Sequence, residues 1–264
     1  MSTSTTNPIG IFDSGIGGTS IWKEIHLLLP NENTIYLADS KYAPYGQKTK
    51  EEIIELSIKN TEFLLNQNSK IIVVACNTAT TNAIKILREK YDIPFVGIEP
   101  AIKPAAIHSK TKTIGILATK GTLNSELFAE TSNNINNETI IIEQIGEGLV
   151  ELIEDGKLHS NEIFSLLNKH LQPLTKRNID CLVLGCTHYP YLIPQIKKII
   201  GSEITIIDSG EAVAKHTKKL LADRFLLKNS ITNTNHIFYS NKDICTLRMI
   251  IDEKKGMIFN EFDF

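Results

Sequence analysis

Two cysteines in this chain stand in matching surroundings. Val73-Val74-Ala75-Cys76-Asn77-Thr78 and Val183-Leu184-Gly185-Cys186-Thr187-His188 each run from an apolar stretch through a small residue into a cysteine and two polar residues, and the second cysteine lies 110 positions after the first. A thiol has an unperturbed pKa of about 8.5, near enough to neutrality to take or give a proton, and its surroundings decide which. Two thiols facing one carbon from opposite sides could remove a proton on one face and return one on the other, inverting a stereocentre without a covalent intermediate. Pairing Cys76 or Cys186 with His188 would instead suit a cysteine hydrolase, a reading that leaves the second matched cysteine without a role. Zinc ligation by Cys181, Cys186 and His188 fits no closed CxxC pair, and no second cluster completes four ligands, so no metal is expected. Cys181 lies in an apolar run and Cys245 in Ile244–Ile251, which reads as the face of a late helix. Both are expected to pack as buried thiols.

Other polar segments also follow apolar runs. Asp13-Ser14-Gly15-Ile16-Gly17-Gly18 would let backbone N–H groups approach an anion at the mouth of a helix. It lacks the Lys-Ser/Thr end of a P-loop and is not GxGxxG, so it reads as no nucleotide motif. Pro44-Tyr45-Gly46 has turn chemistry. Asn77-Thr78-Ala79-Thr80-Thr81 and Thr119-Lys120-Gly121-Thr122 can serve as helix caps. Around a single cleft, these segments would offer many neutral donors to a small carboxylate.

The elements that must position these residues alternate strand and helix. Apolar runs predict strands at Ile9–Phe12, Ile71–Ala75, Phe95–Ile98, Thr113–Leu117, Ile140–Ile142, Cys181–Leu184, Ile204–Ile207 and Ile237–Tyr239, with helical periodicity between them. Thr49 with Glu52 predicts a capping box. This is an α/β pattern with parallel sheets. Ile9-Gly10-Ile11-Phe12 echoes Ile114-Gly115-Ile116-Leu117 at nearly the spacing of the two cysteine motifs, which predicts two similar lobes. Ligands in such sheets bind beyond the carboxyl ends of the strands, where both cysteines fall, so the active site is expected in the cleft between the lobes.

Composition narrows the partners. The 264 residues carry 28 Lys plus Arg against 30 Asp plus Glu, a formal charge of −2. A protein that neutralises phosphates usually shows a basic excess, so nucleic acid is not expected. No apolar run approaches the roughly 20 residues of a membrane helix. The start MSTSTTNPIG lacks the features of a secretory signal, and a reducing cytoplasm with free thiols is expected.

Together, the Asp-Ser-Gly turn, Pro44-Tyr45-Gly46 and the two cysteine motifs resemble the glutamate racemase family, within the cofactor-independent aspartate/glutamate racemases. The cysteine motifs alone point to the superfamily; the other two sharpen the likeness to glutamate. The resemblance implies interconversion of L- and D-glutamate without cofactor, supplying D-glutamate for peptidoglycan and so for cell shape. It implies Cys76 as the base for the D-enantiomer and Cys186 for the L-enantiomer, assisted by Asp13 and His188 respectively, with a further glutamate at Glu154. It implies substrate contacts at Asp13, Ser14, Tyr45, Gly46, Asn77, Thr78, Thr119, Thr122, Thr187 and His188. It also implies one lobe of residues 1–98 plus 208–264 and another of 99–207; the family often forms dimers, and a homodimer is one expected assembly. Many relatives carry a Cys-Pro pair ahead of the glutamate where this chain has Gly146-Glu147-Gly148, and an arginine where it has Tyr42. Rival readings are an aspartate racemase or another amino-acid racemase of the superfamily, and a two-lobed amino-acid-binding protein without chemistry.

Overall fold

The computed structural model describes residues 4–135, 138–228, 234–252 and 256–264. Ten strands, β1 (Ile9–Asp13), β2 (Thr34–Ala38), β3 (Ile71–Val74), β4 (Phe95–Gly97), β5 (Thr113–Ala118), β6 (Ile140–Ile145), β7 (Cys181–Gly185), β8 (Thr205–Ile207), β9 (His236–Ser240) and β10 (Met257–Glu261), form two sheets among the described residues. Their orders are β10-β9-β2-β1-β3-β4 and β6-β5-β7-β8. Each recorded pairing is parallel. Helices cover both faces, which is why β1, β2, β3 and β7 are buried along their whole length and read as unbroken apolar runs.

The echo between the two halves has a structural meaning. In the first sheet Gly10 of β1 pairs with Ile72 of β3, and in the second Gly115 of β5 pairs with Leu182 of β7. In each case the cysteine stands four residues further along the second strand's chain. Equivalent registers therefore deliver Cys76 and Cys186 to the carboxyl ends of their sheets. The chain passes between sheets after β4 and again after β8, and the crossings are tied by Ser209 Oγ donating to the Glu99 carbonyl at 2.6 Å. Beyond the second crossing, the helix Gly210–Asp223 packs on the helix Thr19–Leu28 beside the first sheet.

Several expectations needed extension or correction. The spacing-based capping box is present, with Thr49 Oγ1 accepting from Glu52 N–H and Glu52 Oε2 from Thr49 N–H. Strands β2 and β10 were not among the predicted ones, and β6 runs three residues further than expected. Cys181 is buried as expected, but Cys245 is exposed. Cys245 opens the helix Cys245–Ile251, whose buried face is made by Leu247, Ile250 and Ile251, so its thiol turns outward. No helix among the described residues is long and apolar enough to cross a membrane.

One buried contact gives the fold an acid sensitivity. His236 of β9 is 4% exposed. Thr34 Oγ1 accepts from Trp22 Nε1 at 2.9 Å, which leaves its own O–H to donate to His236 Nδ1 at 2.9 Å. Burial, helped by the nearby His26, pushes His236 down to about 4. Because the folded value lies below the unfolded one of about 6.5, the neutral ring stabilises the fold fully above that pH. That contribution is lost as pH falls from about 6.5 toward 4. Denaturant unfolding at pH 7 and pH 5 is expected to show this loss, and His236→Asn to flatten it.

Candidate active site

On the first sheet's side, β1 ends in Asp13, and the glycine turn wraps its carboxylate. Oδ2 accepts from the N–H groups of Gly15 at 3.2 Å and Gly18 at 2.9 Å, while Thr187 Oγ1 reaches Oδ1 from the opposite side at 3.3 Å. The expectation that this turn would cradle a bound anion is therefore modified: the N–H groups of Gly15 and Gly18 go to Asp13, that of Ile16 to Glu154 and that of Gly17 to His188 Nε2. Burial raises Asp13 above the usual carboxylate value despite the nearby His188 and the Gly18 N–H. Cys76 caps the helix Asn77–Lys90, its sulfur accepting from Ala79 N–H at 3.4 Å and its S–H reaching Ser14 Oγ at 3.6 Å. A helix N-terminus favours a thiolate, but burial and the charge of Asp13 outweigh it and hold the Cys76 thiol well above its ordinary value.

On the second side, β7 runs into Cys186-Thr187-His188. His188 Nδ1 lies 3.7 Å from Cys186 Sγ, and Nε2 lies 2.6 Å from Glu154 Oε1. Burial alone would lower His188, yet its bonds to Cys186 and Glu154 prevail and raise it well above the ordinary imidazole value. The ring is thus suited to stand as a cation beside the Cys186 sulfur. Glu154 ends the helix Leu149–Glu154 and also accepts from Ile16 N–H at 2.7 Å and from Ser40 Oγ at 2.8 Å. The segment ahead of this helix is held by Tyr189 donating to the Gly146 carbonyl at 3.1 Å and His170 to the Glu147 carbonyl at 2.9 Å.

Between the thiols lies a cavity of about 10 Å³, room for roughly one water molecule. Of the residues expected in the site, Ser14, Tyr45, Gly46, Asn77, Thr78, Thr119, Thr187, His188 and both cysteines line it. Asp13 and Glu154 stand behind this lining and act on it through Thr187, Cys76 and His188. Thr122 is bonded to Thr78 and Thr119 at 3.2 and 3.1 Å. The Tyr45 hydroxyl is bonded to Asp39 and Asn60. Asn77 is 2% exposed, and neither polar atom of its amide has a protein partner. A buried amide without partners costs about 1–3 kcal/mol, which a ligand in the cavity would relieve.

Sequence reasoning missed two contributors, Val150 and Ser40. Pro44 and Val150 line the cavity; Val150 lies one helical turn before Glu154 and so shares its face, a signal available once Glu154 was placed. Ser40 had no signal, because its partner lies 114 positions away. Beside the cavity a groove of about 1240 Å³ shares Pro44, Gly46, Thr119 and Val150 with it and is rimmed by Lys48, Lys50, Lys85, Lys120 and Lys169. Three exposed contacts span this mouth: Gln47 to Glu151 at 2.6 Å, and Lys50 to Glu126 and Lys85 to Glu130 at 3.4 Å each. Cys181, Cys186 and His188 form no metal-ligand group, nor does any set of three or more His, Cys, Asp or Glu among the described residues.

Comparison with known proteins agrees with this geometry. The Asp/Glu/Hydantoin racemase family model matches residues 18–217. A glutamate racemase of Ralstonia pickettii is 43% identical over 251 residues, covering 95% of this chain and 89% of that one. One from Pseudomonas putida is 44% identical over 245 residues, covering 92% of each. Among solved structures, a glutamate racemase isoform from Bacillus anthracis superposes with a TM-score of 0.88 at 30% identity, over 98% of both chains. The glutamate racemase of Francisella tularensis, solved in complex with D-glutamate, gives 0.85 at 29% identity over the same shares. With a matching family model over most of its length, and relatives of this identity along nearly all of it, the chain belongs to the Asp/Glu/hydantoin racemases and, within them, to the glutamate racemase family.

Proposed function

We propose that this enzyme interconverts L- and D-glutamate by passing protons between Cys76, Cys186 and the substrate's α-carbon. The observation that carries the reading is that equivalent strands of two similar sheets deliver one thiol each to a single enclosed cavity. In the direction from L to D, the Cys186 thiolate takes the α-proton, and the C–H electron pair stays on Cα, delocalised into the α-carboxylate. Cys76 then gives its S–H proton to the opposite face, leaving Cys76 as thiolate and Cys186 as thiol. The return reaction runs these steps backward. Burial and Asp13 keep Cys76 protonated, the form needed to finish the L-to-D direction. His188, raised well above the ordinary imidazole value, faces the Cys186 sulfur at 3.7 Å, so a cationic ring stands beside the atom that takes the α-proton.

The α-proton is weakly acidic, so the site must stabilise developing charge with fixed donors in a dry environment. Asn77, Thr78, Thr119, Thr187 and the backbone of Tyr45 and Gly46 are suited to that task. Structures of glutamate racemases with D-glutamate in Francisella tularensis and with L-glutamate in Escherichia coli support glutamate as the substrate. A cavity of about 10 Å³ admits no amino acid unless it opens. We take the moving bodies to be residues 1–98 with 208–264 and residues 99–207, swinging about the Glu99–Ser209 crossings, with the exposed contacts at the mouth breaking first. D-glutamate formed in the cytoplasm would feed peptidoglycan synthesis.

Incubation of the pure protein with L-glutamate in deuterium oxide, without added cofactor, tests the reading. Optical inversion is expected together with deuterium at Cα in the D-product. Inversion that retains the original proton would contradict the two-thiol mechanism, and rapid inversion of aspartate with none of glutamate would overturn the substrate.

A further inference from the structure

Ser40 lies outside the cavity lining, yet it is 5% exposed and its hydroxyl donates to Glu154 Oε2 at 2.8 Å. It belongs to the segment that follows β2 of the first sheet, whereas Glu154 lies in the stretch that carries the second. The other carboxylate oxygen, Oε1, meets Ile16 N–H at 2.7 Å and His188 Nε2 at 2.6 Å. The same Nε2 lies 3.2 Å from the N–H of Gly17, and Nδ1 of the ring faces Cys186 Sγ at 3.7 Å.

These contacts cannot all be satisfied by one proton arrangement. With protons on both ring nitrogens, His188 is a cation whose Nδ1–H faces the Cys186 sulfur and whose Nε2–H faces Glu154, and the Gly17 N–H meets no lone pair. With the proton shared between Nε2 and Glu154 on Oε1 instead, the Gly17 N–H can donate to Nε2, but His188 gives up its charge and Cys186 its counterion. Donors to a carboxylate favour its ionised form. The backbone donor Ile16 is fixed by the turn, so Ser40 is the side chain that tips the balance. We infer that Ser40 is a positioning residue for proton transfer on the L-face: by donating to Glu154 across the closed cleft, it keeps the shared proton on His188 and so sustains Cys186 as a base. This rests on the two-thiol reading above, and it makes the base competent only once the cleft has closed, because Ser40 and Ile16, the donors to Glu154, both come from the opposite side.

Glutamate enantiomers have equal free energy in water, so any variant must change kcat/KM equally in both directions. Isotope effects, by contrast, report each thiol separately. Ser40→Ala is expected to lower kcat/KM about tenfold, the scale of one hydrogen bond to a charged group. Its deuterium isotope effect on kcat/KM should rise with L-glutamate deuterated at Cα, where Cys186 breaks the labelled bond, and fall with the corresponding D-glutamate, where Cys76 does. Ser40→Thr, which keeps the hydroxyl, should restore both effects. A Ser40→Ala enzyme whose two isotope effects match those of the unaltered chain would overturn the role of Ser40 while leaving the two-thiol mechanism standing. Inversion by the unaltered chain that retains the original α-proton in deuterium oxide would overturn the mechanism itself, and with it this role.

Discussion

Cys76→Ala and Cys186→Ala are each expected to lower kcat/KM for glutamate inversion by about 10³-fold or more, toward the upper range of general acid–base contributions. The loss falls equally on both directions, but the chemistry left behind differs. In Cys76→Ala, the Cys186 sulfur still faces the α-proton of L-glutamate, with His188 at 3.7 Å to stabilise its thiolate. L-glutamate should therefore exchange its α-proton with deuterium oxide without inverting, and D-glutamate should not exchange. Cys186→Ala should show the reverse, with exchange confined to D-glutamate and slowed, because burial and Asp13 hold the remaining thiol protonated. Proton NMR of each enantiomer separately would measure this. Exchange of both enantiomers in either variant would mean that a single base reaches both faces, and the assignment of one thiol to each face would fail.

The parts of this site legible in the sequence were those whose chemistry and position sit in one short segment. Cys76 with Asn77 and Thr78, and Cys186 with Thr187 and His188, carry their strand, their helix start and their polar neighbours along with them. Asp13 was legible for the same reason. The illegible parts depend on where a side chain turns after a long excursion of the chain. Tyr45 lines the cavity, and its hydroxyl meets Asp39 and Asn60, a pairing that the Pro-Tyr-Gly segment alone does not announce. Ser40 meets Glu154 across two sheets, and no local pattern encodes that meeting. Strand β2 is not legible although Thr34-Ile35-Tyr36-Leu37-Ala38 is rich in strand formers, because five residues between a proline stop and a polar turn show no periodicity. Cys245 faces solvent although its segment is apolar, because seven residues are too few for periodicity to choose between adjacent faces. Burial in the first sheet's core, by contrast, followed directly from continuous apolar runs.

Gly17→Ala should damage catalysis severely while sparing the core. A Cβ built on Gly17 falls 2.2 Å from His188 Nδ1 and 2.4 Å from its Cγ, and one on Gly15 falls 2.0 Å from Glu154 Oε1. In both cases the obstacle belongs to the other side of the cleft. The turn cannot yield easily, because the N–H groups of Gly15 and Gly18 are both tied to the Asp13 carboxylate. Either His188 swings off its line between Cys186 and Glu154, or the two sides stay apart. A misplacement on the order of 1 Å costs roughly 10²-fold in rate, so a fall of about that size in kcat/KM is expected. The methyl is relieved by parting the cleft rather than by disturbing packed strands, so the Tm should change little. Opening should also be visible at the thiols. Cys76 and Cys186 are 4% and 6% exposed, and in the presence of glutamate both should alkylate faster in Gly17→Ala than in the unaltered chain, as read by mass spectrometry of the peptides that contain them. Unaltered turnover together with unaltered thiol protection would show that the turn and His188 do not meet in the working enzyme. The closed contact across the cleft would then have no part in the reaction.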